Sequence, residues 1–87
     1  MKKTFNHIAL TVRNGRLAAG VSQSELSKAL GYKNGQFISN VERGLCSVPA
    51  TSFPLLAKTI KMDVGTLIQA ATADFRDYLS NTTKDLT

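Results

Sequence analysis

SQSELSKALGYKNGQFISNVERG, residues 22–44, carries two short apolar-periodic segments on either side of a turn. Ser22 followed three places later by Glu25 forms a capping box: the hydroxyl accepts from the Glu25 amide and the carboxylate reaches back to the Ser22 amide. A short helix over residues 23–30 follows, with Leu26, Ala29 and Leu30 expected inward and Gly31 closing it. Asn34-Gly35 is ordinarily a hairpin signal, yet no strand alternation comes after it. Ile38 and Val41 recur at helical spacing instead, so Asn34 is expected to be the N-cap of a helix over residues 35–43 that Gly44 ends. Two short helices joined by YKN read as a helix-turn-helix. In that unit the second helix places its N-terminal side chains on base edges in the major groove, and the first lies across the backbone.

Outward from this stretch the chain stays helical. Phe5, Ile8, Ala9, Val12 and Arg16 share helical spacing, which predicts a first helix over residues 4–19 stopped by Gly20. Gly15 falls inside it at a cost of roughly 1 kcal/mol relative to Ala, and close packing against a neighbour is the reason to expect it there. LCSVPAT is a loop. A fourth helix begins near residue 52 and tolerates Pro54 in its first turn, where amides lack an intrahelical partner. Phe53, Leu56, Ala57 and Ile60 are its inward set. Asp63 caps a fifth helix with apolar positions Val64, Leu67, Ile68, Ala71, Phe75, Tyr78 and Leu79, running to about residue 79. The expected organisation is all-α with five helices: one domain over residues 1–80 and a polar tail over 81–87. No repeat, low-complexity stretch or strand pattern interrupts it.

The 87 residues suffice for one modest core. The net charge of +5 is carried entirely by residues 1–48, with seven Lys/Arg against two acids, while residues 49–87 hold four of each. A basic first half favours an acidic partner. Cys46 is the only cysteine, so no intrachain disulfide forms and a reducing, cytoplasmic compartment fits. No apolar run approaches membrane length, and Asn6 and His7 break the short apolar start that a signal peptide would need. His7 has no Cys, His or carboxylate at ligand spacing, so no metal is expected. No nucleophile–base pair and no phosphate-cradling glycine loop occurs, so neither enzymatic activity nor a cofactor is expected.

RLAAGVSQSELSKALG (residues 16–31) and FISNVERG (residues 37–44) resemble the lambda-repressor-like helix-turn-helix family, the phage repressor and Cro group with its bacterial regulators. The likeness spans about residues 5–72. It rests on Arg16, Gly20-x-Ser22-Gln23-x-x-Leu26, Gly31 and Ile38-Ser39-x-x-Glu42-Arg43-Gly44 in order, with PLLAKTIKMDVGTLI (residues 54–68) similar to the fourth helix and the start of the fifth. The resemblance implies that Ser22 and Gln23 hold backbone phosphates, Gln23 also bracing Gln36. It implies base reading at Asn34, Gly35, Gln36, Phe37, Ser39 and Asn40, with Gly35 letting the backbone approach DNA and Phe37 either meeting a thymine methyl or packing on the preceding helix. Lys33, Arg43 and Ser47 would contact phosphates. Arg16 and Glu42 would form a partly buried salt bridge. YKNGQF places six residues between Gly31 and Ile38 where the family usually has five, so either the turn is one residue longer or the third helix starts one residue earlier, and either change would re-aim Lys33, Asn34 and Gln36.

The function so implied is sequence-specific binding of a double-stranded DNA operator by a transcriptional regulator, with repression the expected sign. A single short reading helix covers few base pairs, so a homodimer on half-sites one helical turn apart is expected. Leu45 and Val48 of the apolar LCSV loop, with Phe75, Tyr78 and Leu79, are the candidate dimer surface. The competing reading is an antitoxin or anti-regulator module whose fifth helix binds another protein.

Overall fold

The computed structural model describes residues 4–86, with side chains described through residue 82. Lys2 and Lys3 of the basic excess, and Thr87 of the expected tail, lie outside the described residues. The order is α1 (Asn6–Ala19), α2 (Gln23–Ala29), α3 (Gln36–Glu42), a 3-10 turn (Ala50–Ser52), α4 (Phe53–Thr59) and α5 (Val64–Leu86), with no strand among the described residues. The five-helix, all-α architecture agrees with the sequence. α1 lies along α5 and α3, α2 packs on α3 and α4, and α4 packs on α5. No helix is long and apolar enough to cross a membrane among the described residues.

Local chemistry explains most boundaries. Gly20 ends α1 at φ 71°, Gly31 follows α2 at φ 95° and Gly44 follows α3 at φ 78°, all left-handed conformations in which a Cβ is costly. The capping box of α2 forms in full, with Glu25 N donating to Ser22 Oγ at 3.0 Å and Ser22 N to Glu25 Oε1 at 3.1 Å. Asp63 Oδ2 accepts from Gly65 N at 3.1 Å at the start of α5. Asn34 Oδ1 accepts from the Gln36 amide at 2.9 Å, but the N-cap of α3 is Gly35 and not Asn34 as expected, so the helix starts at Gln36 and Asn34 acts from one place before the cap.

The start of α1 is set from far away. Phe5 stands at the N-cap and offers no side-chain acceptor. The carboxylate of Asp74 in α5 takes that place, accepting from His7 N at 2.7 Å and Ile8 N at 3.0 Å. Two first-turn amides are thereby satisfied, and a negative charge sits at the positive end of a helix. The amides of Thr4 and Phe5 both donate to the carbonyl of Gly44, at 3.1 and 3.2 Å, tying the entry of α1 to the exit of α3.

Ile8, Val12, Leu26, Ile38, Val41, Val48, Phe53, Leu56, Ala57, Ile60, Leu67 and Ala70 form one continuous core. The inward sets expected for the third and fourth helices are buried. α2 differs: Leu26 is inward and Leu30 half-buried, but Ala29 is exposed and Ser27 is fully buried. Ser27 is satisfied by the backbone of α3, its Oγ accepting from Ile38 N at 3.1 Å. A Cβ on Gly15 would lie 2.5 Å from Met62 Cε and 3.0 Å from Ile60 Cδ1, which is the close approach its position implied.

α5 departs most from expectation. Leu67, Ala70 and Asp74 form its buried stripe, whereas Val64, Ile68, Phe75, Tyr78 and Leu79 are exposed. The helix runs to Leu86 instead of ending near residue 79, so most of the expected polar tail is helical. Val48 is 4% exposed and belongs to the core, which removes it from any dimer surface.

Candidate nucleic-acid interface

α3 is held from behind. Arg16 Nε donates to Glu42 Oε2 at 2.6 Å and Arg16 Nη2 to Glu42 Oε1 at 3.1 Å, a two-point contact between α1 and α3. A third arginine nitrogen, Nη1, donates to the Val21 carbonyl at 3.0 Å. The side chains are 11% and 2% exposed, so this ion pair is largely removed from water. The hydrogen bonds to Glu42 raise the pKa of Arg16 from its ordinary value; burial works against them and the carboxylate's charge adds to them.

Gln23 completes the carboxylate's shell. Its Nε2 donates to Glu42 Oε1 at 3.1 Å, so Gln23 braces Glu42 and not Gln36. The buried Glu42 is the stronger attraction for an amide donor at the start of α2, because a charge-assisted hydrogen bond exceeds an amide–amide one. Ser27 and the apolar anchors Ile38 and Val41 fix the rest of that inner side.

The outer side of α3 carries a linked row of polar groups. Gln36 Nε2 donates to Asn40 Oδ1 at 2.9 Å, and Arg43 Nη2 donates to the same oxygen at 2.6 Å. Spacings of four and three residues put these side chains on one face. Gln36 and Arg43 are exposed, while Asn40 and Ser39 are half-buried. Lys33 and Asn34 are exposed in the turn before the helix, and Ser22 is exposed at the head of α2. The turn thus brings Lys33, Asn34, Gln36, Asn40 and Arg43 to the start and outer side of one short helix.

Three further expected site residues make contacts within the protein. Gly35 is pressed against α2, since a Cβ there would stand 3.2 Å from Ser24 N and 3.3 Å from Ser24 Cα. Its bareness serves contact within the protein. Phe37 is half-buried and stacks on Tyr32, with ring centroids 3.9 Å apart and planes 9° from parallel. The stacking partner lies in the turn, outside α2. Ser47 is half-buried and lines a groove with Phe5, Ala71, Phe75 and Tyr78, on the side of α5.

That groove, of about 260 Å³, and a second of about 490 Å³ lined by Phe53, Pro54, Val64, Ile68 and Thr72 share Ala71 and Phe75. Phe75 and Tyr78 are 61% and 54% exposed, large values for aromatic side chains. Leu79 is also exposed, and Leu45 is half-buried. Phe75, with Ala71, therefore stands between two apolar grooves on α5, and Tyr78 and Leu79 continue the exposed apolar side chains past it. Cys46 is half-buried, and burial pushes its thiol pKa up, away from a reactive thiolate.

Ser27, Tyr32 and Asp74 matter to this arrangement and were not singled out in the sequence. Asp74 leaves one trace: an acid on the same helical stripe as Leu67 and Ala70, where an apolar residue is expected. No family model matches the chain, and a comparison with curated proteins finds no match.

Proposed function

We propose that this chain binds double-stranded DNA sequence-specifically as a transcriptional regulator, with α2 and α3 forming a lambda-repressor-like helix-turn-helix and α3 entering the major groove. The observation that carries this reading is the division of α3 into two sides. Its inner side is anchored through Ile38, Val41 and the Arg16–Glu42–Gln23 cluster, and its outer side presents Gln36, Asn40 and Arg43 in one row. A rigid short helix bearing outward amides suits base edges, which amides meet with donors and acceptors in fixed geometry. The cationic excess of residues 1–48 supplies the attraction to phosphate that duplex binding requires. A twofold dimer joined through the Phe75–Tyr78 ridge is the assembly that would place two such helices on one operator.

Titration with mixed-sequence duplex DNA tests the reading. Binding should weaken steeply with added salt, because each neutralised phosphate releases counterions. Affinity indifferent to salt, or no binding at all, would sink it. The exposed ridge of α5 favours one other reading, a module that acts by binding a different protein. In that case the chain would bind its partner with Gln36 and Asn40 replaced by Ala and lose it with Phe75 and Tyr78 replaced.

A further inference from the structure

The Gln36–Asn40–Arg43 row restricts which half of each amide can face a ligand. A guanidinium offers only donors, so the Asn40 atom that meets Arg43 Nη2 at 2.6 Å has to be the carbonyl oxygen. Gln36 Nε2 donates to that same oxygen at 2.9 Å. An amide oxygen has two lone pairs, and both are taken. Asn40 is left with Nδ2, a pure donor. Gln36 has turned its nitrogen toward Asn40 and is left with Oε1, a pure acceptor. The polarity of the row is set from Arg43, the one member that cannot exchange donors for acceptors.

This removes the pairing usually expected of such residues. An Asn or Gln with both halves free binds adenine bidentately, donating to N7 and accepting from the N6 amino group. Asn40 in this arrangement has nothing to offer that amino group. Guanine, with N7 and O6 both acceptors, fits a donor-only Asn40 best, since adenine and thymine each present a single major-groove acceptor, N7 and O4. Gln36 Oε1 fits an exocyclic amino group, which adenine and cytosine display in the major groove and guanine and thymine do not.

We infer that Arg43 is a positioning residue: it locks Asn40 as a donor that selects guanine and leaves Gln36 as an acceptor that selects an amino-bearing base. The inference rests on the DNA-binding reading and adds to it the base class at two positions and the residue that sets them.

The test is selection of bound duplexes from a random pool by the full chain and by Gln36→Ala, Asn40→Ala, Arg43→Ala and Arg43→Lys, with thermal melting of each. The unsubstituted chain should enrich guanine at the position that Asn40→Ala randomises, and adenine or cytosine at the position that Gln36→Ala randomises. Arg43→Ala should melt as the parent does, yet move the Asn40 position from guanine toward adenine by roughly tenfold in relative enrichment. Arg43→Lys should keep guanine, since an ammonium is also donor-only. Adenine at the Asn40 position of the unsubstituted chain overturns the inference. So does an Arg43→Ala variant weakened equally on every sequence with a shallower salt dependence, the signature of a phosphate contact alone. Salt-dependent binding with no enriched sequence overturns the inference and leaves the DNA-binding reading standing. Absence of duplex binding removes both.

Discussion

The guanidinium of Arg16 grips the carboxylate of Glu42 at two points, 2.6 and 3.1 Å, across 26 positions of sequence. Gln23 adds a third donor to the same carboxylate at 3.1 Å, so helices α1, α2 and α3 converge on one buried charge. Such a cluster holds geometry more than it adds net stability, because removing two charges from water offsets most of their attraction. Its role is to fix how α3 leans against the rest of the domain.

Breaking that cluster should be costly on one side and mild on both. Glu42→Ala leaves the Arg16 guanidinium unpaired and mostly buried, and should destabilise the fold by about 3–5 kcal/mol in chemical denaturation. Arg16→Met with Glu42→Leu should recover most of that loss, because no buried charge remains. A double variant as unstable as Glu42→Ala would show that the ion pair itself carries the stability.

Asp74→Asn tests the tertiary cap of α1. The carboxylate accepts two amides, and an amide side chain can accept only through its one oxygen while turning N–H groups on the other. The variant should lose about 1–3 kcal/mol of stability. Amide exchange should quicken first at His7 and Ile8. Protection unchanged at those two amides would remove Asp74 as the cap.

The capping box of α2 implies an acid-side dependence. Hydrogen bonds from the Ser22 backbone and hydroxyl to Glu25 hold its pKa below the ordinary 4.5. A lowered folded-state pKa gives stabilisation that is complete above the unfolded value and lost as pH falls through the folded one. The stability difference between the parent and Glu25→Gln should therefore be present at neutral pH and fade below about pH 4.5. A difference that persists at lower pH would contradict the box as the cause.

Self-association is best probed with Phe75→Glu and Tyr78→Glu. Both rings are exposed, so their replacement should leave melting nearly unchanged. Sedimentation should show a shift from dimer to monomer. Truncation before Phe75 is the poorer test, since it leaves Asp74 at a chain end where α1 needs it. An unchanged mass would take this ridge out of the interface.

Wherever the determinants are neighbours along the chain, the sequence was sufficient. Ser22 with Glu25 starts α2, and glycines at 20, 31 and 44 follow α1, α2 and α3 with left-handed backbone. These signals act within a few residues, so the all-helical class and most boundaries could be read before any packing was known. The Arg16–Glu42 pair was legible by resemblance, and the structure forms it. The row of Gln36, Asn40 and Arg43 was legible as types and spacing, though not as a hydrogen-bonded order.

Tertiary structure decided what depends on which of two adjacent faces meets a neighbour. Ser27 is buried and Ala29 exposed because α3 supplies an amide for the hydroxyl at that spot. Val48 sits in the core and not on a surface, Gln23 turns to Glu42, and Gly35 yields room to Ser24. Asp74 shows the reason most plainly. A carboxylate on an apolar stripe has no local meaning until α1, 66 and 67 positions away, brings two unsatisfied amides against it. Periodicity names the face of a helix, but only the neighbour that packs there determines what each polar group on it is for.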